Sequence, residues 1–155
     1  MEESLRTDGA GQDQRPDAYM AQLFHLPEKD WSQYSPLALA YMGDAVFDLV
    51  IRTIYVKKAN MQSAKLHYKA AQIVRAGTQA KIISAILPEL TEDEEAVYRR
   101  GHNASPSHTA KNASRGEYME ATGFEALIGW LYLRGEYTRM LDLIRQGLGA
   151  AGYEF

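Results

Sequence analysis

Leu39-Ala40-Tyr41-Met42-Gly43-Asp44-Ala45-Val46-Phe47-Asp48 sets an acid inside an apolar run. From Ser35 to Val56 nearly every turn carries apolar side chains on more than one face, among them Leu37, Leu39, Tyr41, Val46, Phe47, Val50, Ile51 and Ile54. A helix that is apolar all round is buried in a core or an interface. A carboxylate there is costly unless it is paired or binds a metal. Asp44, Asp48 and Arg52 recur at four-residue spacing and share one stripe. Two readings follow: a polar seam with an Asp48–Arg52 pair, or a metal-ligand carboxylate facing a cleft.

A second segment bears on that choice. Glu117 to Leu133 reads Glu-Tyr-Met-Glu-Ala-Thr-Gly-Phe-Glu-Ala-Leu-Ile-Gly-Trp-Leu-Tyr-Leu, again helical and largely apolar, with Glu125 between Phe124 and Ala126. Met42-Gly43-Asp44-Ala45-Val46 and Glu125-Ala126-Leu127-Ile128-Gly129 lie in this order about 80 residues apart. Together they resemble the catalytic domain of the ribonuclease III family, which carries a Gly-Asp core in one helix and a Glu-Ala-Leu-Ile-Gly core in a later one.

The whole chain bounds the answer. Its 155 residues suit one domain with a substantial core. No apolar run approaches a membrane span, and no N-terminal stretch has the layout of a signal peptide. The absence of cysteine excludes a disulfide framework, a thiolate metal site and a thiol nucleophile. The expected setting is cytoplasmic, a bacterial cytosol before a plastid stroma. The net charge of −3 hides an asymmetry: residues 1–35 hold seven acids and three bases, so residues 36–155 carry +1. From Arg52 to Lys81 there are seven bases and no acid, and from Ala96 to Gly116 four bases, His102, His108 and no acid. Solvated helices usually mix signs, so two acid-free basic tracts suit a surface that meets phosphates.

Along the chain, residues 1–18 are polar without apolar periodicity and are expected to form a disordered leader. Residues 19–34, with Tyr19, Leu23, Phe24, Leu26 and Trp31, are expected to be a docking segment; residues 35–150 form the catalytic domain and 151–155 a tail. Ser35-Pro36 is a helix start, and Lys57-Lys58 suit its end. Ser63 is expected to cap a helix to about Arg75. Gly77-Thr78 permit a break before Gln79–Leu87, closed by Pro88. Thr91-Glu92-Asp93-Glu94 is a capping box whose helix runs to about Asn103. Residues 104–116 lack large apolar side chains and are expected to be a mobile polar loop. Helices at about Tyr118–Leu133 and Glu136–Leu148 follow. The expectation is an all-α fold of about six or seven helices.

The resemblance covers roughly Pro36 to Gly147. It is closer to the small Mini-III branch of ribonuclease III, through Leu39-Ala40-Tyr41-Met42-Gly43-Asp44-Ala45, Leu66-His67, Gln79-Ala80, Glu94-Glu95-Ala96-Val97, Arg100-Gly101-His102-Asn103-Ala104 and Phe124-Glu125-Ala126-Leu127. As in that branch, the catalytic domain is expected to stand without a double-stranded-RNA-binding domain. Standard ribonuclease III has acids at positions filled here by Leu37, Ala40 and Thr122, so only Asp44 and Glu125 correspond directly. Asp48 and Glu120 are candidates for support through water, Glu120 lying two residues off the family position.

This resemblance implies a two-fold homodimer of ribonuclease III-type endonuclease domains cleaving double-stranded RNA to 5′-phosphate and 3′-hydroxyl ends, with Asp44 and Glu125 as catalytic metal ligands. It further implies maturation of the 23S ribosomal RNA precursor, a role in which a ribosomal-protein helper could take part. An all-oxygen site suits Mg²⁺, with Mn²⁺ able to substitute, and Mg²⁺ keeps several of its own waters. The histidines lack metal-ligand spacing. Duplex RNA is read mainly by shape through phosphates and 2′-hydroxyls; the candidate contacts are Lys57, Lys58, Lys65, His67, Lys69, Arg99, Arg100, Asn103, Lys111 and Arg115. Tyr55 and Tyr68 are expected to be core residues or hydroxyl donors, because duplex bases are not free to stack. The alternatives are a catalytically silent ribonuclease III-like module for RNA binding or ribosome assembly, and a helical metal-dependent phosphohydrolase on nucleotides. Intact Asp44 and Glu125 weigh against the first, and the lack of a His-Asp dipeptide against the second.

Overall fold

The computed structural model describes residues 16–105 and 114–155. Most of the expected leader, the centre of the expected loop, His108 and Lys111 lie outside the described residues. The chain divides into two compact units at Asp30/Trp31. In the first, α1 spans Pro16–Phe24 and is followed by His25 in the left-handed region at φ 53°. The second unit holds α2 (Pro36–Lys58), α3 (Ser63–Val74), α4 (Ala76–Ile86), α5 (Glu92–Asn103), α6 (Arg115–Leu133) and α7 (Tyr137–Ala150), with 3-10 turns at Trp31–Gln33 and Leu87–Glu89. The fold is all-α, with seven α-helices and no strand among the described residues.

Helix α6 is the hub, packed against α2, α4, α5 and α7. Phe124, Leu127, Ile128 and Leu131 are fully buried on it, which is why its sequence shows little one-sided amphipathicity. Around it pack Phe47 and Ile51 of α2, Ile73 of α3, Ile82, Ile83 and Ile86 of α4, and Leu143 and Ile144 of α7. Phe47 meets Phe124 edge-to-face, their centroids 5.2 Å apart.

The helix starts follow local chemistry. Ser35 Oγ accepts from the Ala38 N–H at 3.0 Å, with Pro36 in the first turn. Thr91 and Glu94 form the expected reciprocal capping box. Glu94 is buried and also receives Arg139 at 2.8 Å, which ties α5 to α7. Burial raises the Glu94 carboxyl, but hydrogen bonds from Arg139 and Thr91 outweigh it and hold the group below its usual range.

Several boundaries differ from expectation. Ser63 lies inside α3, and the capping position belongs to Gln62, whose side chain makes no cap bond. The break between α3 and α4 falls at extended Arg75 (φ −75°, ψ 157°), not at Gly77-Thr78. Helix α6 starts three residues early because Ser114 and Glu117 form a second capping box. Tyr68 is 66% exposed and so is no core residue.

Candidate active site

Two glycines place the two acids. An added Cβ on Gly43 would stand 1.7 Å from the carbonyl oxygen of Glu125 and 2.8 Å from the Gly129 nitrogen. One on Gly129 would stand 2.0 Å from the Leu39 carbonyl oxygen. Helices α2 and α6 therefore cross backbone on backbone, closer than any side chain permits. The atom nearest Gly43 belongs to Glu125 itself, and Asp44 is the next residue on α2. Gly43 and Gly129 thus supply the approach, while Asp44 and Glu125 supply the charge at its edge.

The carboxylates of Asp44 and Glu125 lie within hydrogen-bonding reach of each other. Asp44 is exposed and Glu125 partly buried. Burial first, then the Asp44 carboxylate alongside, pushes Glu125 up to about 9, against a weaker opposing hydrogen bond from Gln79. A pair of acids forced together in this way is suited to a hard divalent ion, whose charge relieves their repulsion and whose oxygen preference they meet. Among the described residues no group of three or more His, Cys, Asp or Glu is placed to hold a metal ion, so the protein's own share of such a site is this pair and its polar surroundings.

The other acids stand apart. Asp48, one turn along α2, accepts from Arg52 Nε at 3.0 Å, the pair of the polar-seam reading. Glu120 lines an open groove with Lys81, Ser84 and Glu117, and its charge helps burial raise the Tyr98 hydroxyl. Thr122, where the standard family has an acid, is buried; its hydroxyl donates to the Tyr118 carbonyl and meets Ser105 Oγ at 3.3 Å.

The basic candidates fall in separate places. Lys57 and Lys58 close α2, where their charge suits the carbonyl end of the helix. Tyr55 is half-buried and packs edge-to-face on Phe155. Lys58 lies 6.0 Å from the Phe155 ring centre and Lys69 5.9 Å from that of Tyr55. Lys65 and His67 are exposed on α3. Arg99, Arg100 and Asn103 are exposed on the last turns of α5, Arg99 engaged by Glu95 at 2.7 Å and Asn103 by His102 at 3.2 Å. Arg115 is exposed in the first turn of α6.

Gln79 carries no sequence motif beyond the Gln79-Ala80 branch match. A polar residue at a fully buried position (2% exposed) of an otherwise apolar helix face is the signal that finds it. Phe155 has no local sequence signal, because its packing depends on the tail returning to α2.

Residues 37–136 match the ribonuclease III domain family. The chain belongs to the ribonuclease III family. Its Mini-ribonuclease 3 relatives include that of Clostridium tetani, 42% identical over 119 residues (76% of this chain and 79% of the relative). That of Desulfitobacterium hafniense is 44% identical over 118 residues (76% and 74%), and that of Synechocystis 44% identical over 108 residues (70% and 73%). Among solved structures, a Fusobacterium nucleatum protein superimposes with a TM-score of 0.68 at 31% identity, covering 76% of this chain and 93% of its own. The chain is a ribonuclease III-family endoribonuclease of the Mini-ribonuclease 3 branch, a hydrolase acting on RNA. The family acts on double-stranded RNA and is generally dependent on divalent metal. No described helix is long and apolar enough to cross a membrane.

Proposed function

We propose that this ribonuclease cleaves duplex RNA with Asp44 and Glu125 as its catalytic carboxylates, taking Mg²⁺ or, in its place, Mn²⁺. The single observation that carries this is the backbone-close crossing at Gly43 and Gly129, which holds the two acids together against their own repulsion. Asp44 and Glu125 would hold the ion. When bound, it supplies an activated water, charge stabilisation on the phosphoryl oxygens and help for the leaving 3′-oxygen. Asp44, the more exposed of the two, faces the incoming strand, while Glu125, backed by the core, is kept from swinging away. The products carry 5′-phosphate and 3′-hydroxyl ends.

The working unit is a homodimer. Leu37, Tyr41, Ala45 and Leu49 recur every four residues along one face of α2, and all four are exposed, Tyr41 by 82%. With Val56, at 60%, they form an apolar stripe beside Asp44 that a second copy would cover. Two sites beside one such interface would each meet one strand of A-form RNA. Lys57, Lys58, Lys65, His67 and Lys69 on one side, and Arg99, Arg100, Asn103, Lys111 and Arg115 on the other, are the proposed phosphate and 2′-hydroxyl contacts. The proposed biological substrate is the 23S ribosomal RNA precursor, with a ribosomal protein able to shape it, in the cytoplasm. The experiment is an assay of duplex RNA against single-stranded RNA and free nucleotides, each with and without Mg²⁺. Cleavage of duplex alone, and only with the ion, is expected; duplex binding without cleavage would mark a silent RNA-binding module, and nucleotide hydrolysis a phosphohydrolase.

A further inference from the structure

The α3–α4 junction holds a buried polar group that neither the core nor the RNA-facing surface uses. Extended Arg75 breaks the helix and leaves the last carbonyls of α3 without intrahelical partners. Thr78 Oγ1 donates to the Gln72 carbonyl at 2.8 Å, and Gln79 Nε2 donates to the Val74 carbonyl at 2.8 Å. Both side chains are buried, Thr78 5% and Gln79 2% exposed. Thr78 is satisfied as a cap, but Gln79 has capacity left over. The Val74 carbonyl decides which end of the amide is nitrogen, because an oxygen there would face another acceptor. The same side chain reaches the Glu125 carboxylate. Its carbonyl oxygen, Oε1, has no partner among the described residues. Buried acceptors without donors are rare in native proteins and call for a missing group.

We propose that Gln79 is a positioning residue of the cation site: its amide N–H steadies Glu125 beside Asp44, and its Oε1 accepts a hydrogen bond from a water carried by the bound divalent ion. This rests on the reading of Asp44 and Glu125 as cation ligands. It also accounts for how two carboxylates suffice where Leu37, Ala40 and Thr122 replace acids. A Mg²⁺ ion that keeps several waters needs acceptors for their protons, and a neutral amide provides one without adding a third negative charge to a crowded pair. Groups that orient ligands and hold the outer waters set affinity as well as geometry.

The test measures Mn²⁺ binding to the full chain without RNA, by electron paramagnetic resonance, so that it does not depend on turnover. Gln79→Leu is expected to weaken Mn²⁺ binding about 10- to 100-fold. Thr78→Val removes the other buried cap at the same junction but leaves Glu125 alone; it is expected to lower the melting temperature and to keep wild-type Mn²⁺ affinity. Wild-type affinity in Gln79→Leu would overturn the proposal, and so would equal weakening in both variants, which would make Gln79 a helix cap only. Should Gln79→Leu fail to fold, the wild-type Gln79 side-chain amide is followed by nuclear magnetic resonance during Mg²⁺ titration. A shift tracking site occupancy supports the proposal, and an unmoved signal overturns it. Failure of the underlying reading looks different: wild type would bind no Mn²⁺, or Glu125→Gln would bind it as wild type does.

Discussion

Replacing Gly43 by alanine should disable the enzyme without touching either acid. The new Cβ would lie 1.7 Å from the Glu125 carbonyl oxygen, whereas carbon and oxygen in contact keep roughly 3.3 Å. The helices must separate by roughly 1.5 Å for that contact to become ordinary, and the three nearest atoms are all backbone, so no rotamer can absorb it. Overpacking of this kind costs roughly 3 kcal/mol, at the upper end of its range. Alanine returns about 1 kcal/mol through its better helix propensity. The net loss of about 2 kcal/mol should lower the melting temperature by roughly 8 °C. Activity should fall further than stability. A displacement of about 1 Å at a catalytic group costs on the order of 100-fold, and here the displaced element carries Asp44. The assay is single-turnover duplex cleavage well below the melting temperature, beside a thermal melt. Gly149→Ala is the control, since a Cβ there meets nothing within 4 Å; it should keep wild-type cleavage and melt no lower than wild type, because only the helix-propensity gain remains. A folded Gly43→Ala with wild-type melting and more than half of wild-type cleavage would refute the close-crossing argument.

Three further outcomes are expected. In metal-free protein Glu125 binds its proton more tightly folded than unfolded, so its contribution to stability is whole below about 4.5 and is lost as pH rises toward about 9. Glu125→Gln should therefore gain on wild type in melting temperature from pH 5.5 to 8.5 in chelator (round values spanning that window), and Mg²⁺ should restore wild type; a pH-independent difference would contradict the burial of this group. Sedimentation should give a dimer of about 35 kDa from the 17.4 kDa chain, and Tyr41→Glu should split it; a monomer at micromolar concentration would remove the two-strand model. Neutralising Arg99, Arg100, Lys111 and Arg115 together should weaken duplex binding and flatten its salt dependence with little change in melting, since exposed charges contribute little to stability. An unchanged salt slope would move the RNA to the α2–α3 lysines.

The parts of this molecule that repeat a local rule were legible in the sequence. Ser35-Pro36 and Thr91-Glu92-Asp93-Glu94 start helices as expected, because a cap needs only its own three or four residues. Asp44 and Glu125 stood out as acids among apolar neighbours, and their shared crossing is what the motif glycines make possible. The α3–α4 break is not marked by its glycine and threonine: Thr78 and Gln79 act from inside α4 by capping the carbonyls of α3. That arrangement depends on side chains reaching back five and six residues across the extended Arg75, which helix propensity does not contain. The Ser114–Glu117 box was hidden by reading 104–116 as uniform loop, although its four-residue signature was present. Gln79 beside Glu125 and Phe155 on Tyr55 join residues 46 and 100 positions apart, respectively, and no periodicity reports such a meeting.

The most direct measurement of the central claim is duplex cleavage by Asp44→Asn and Glu125→Gln at saturating Mg²⁺, with RNA binding and circular dichroism recorded on the same preparations. Each change removes one charge while nearly keeping shape. Both variants should fold and bind duplex RNA as wild type does, and cleavage should fall below detection in each. Wild-type cleavage by either purified variant would mean that the acids at the Gly43–Gly129 crossing are not the catalytic pair.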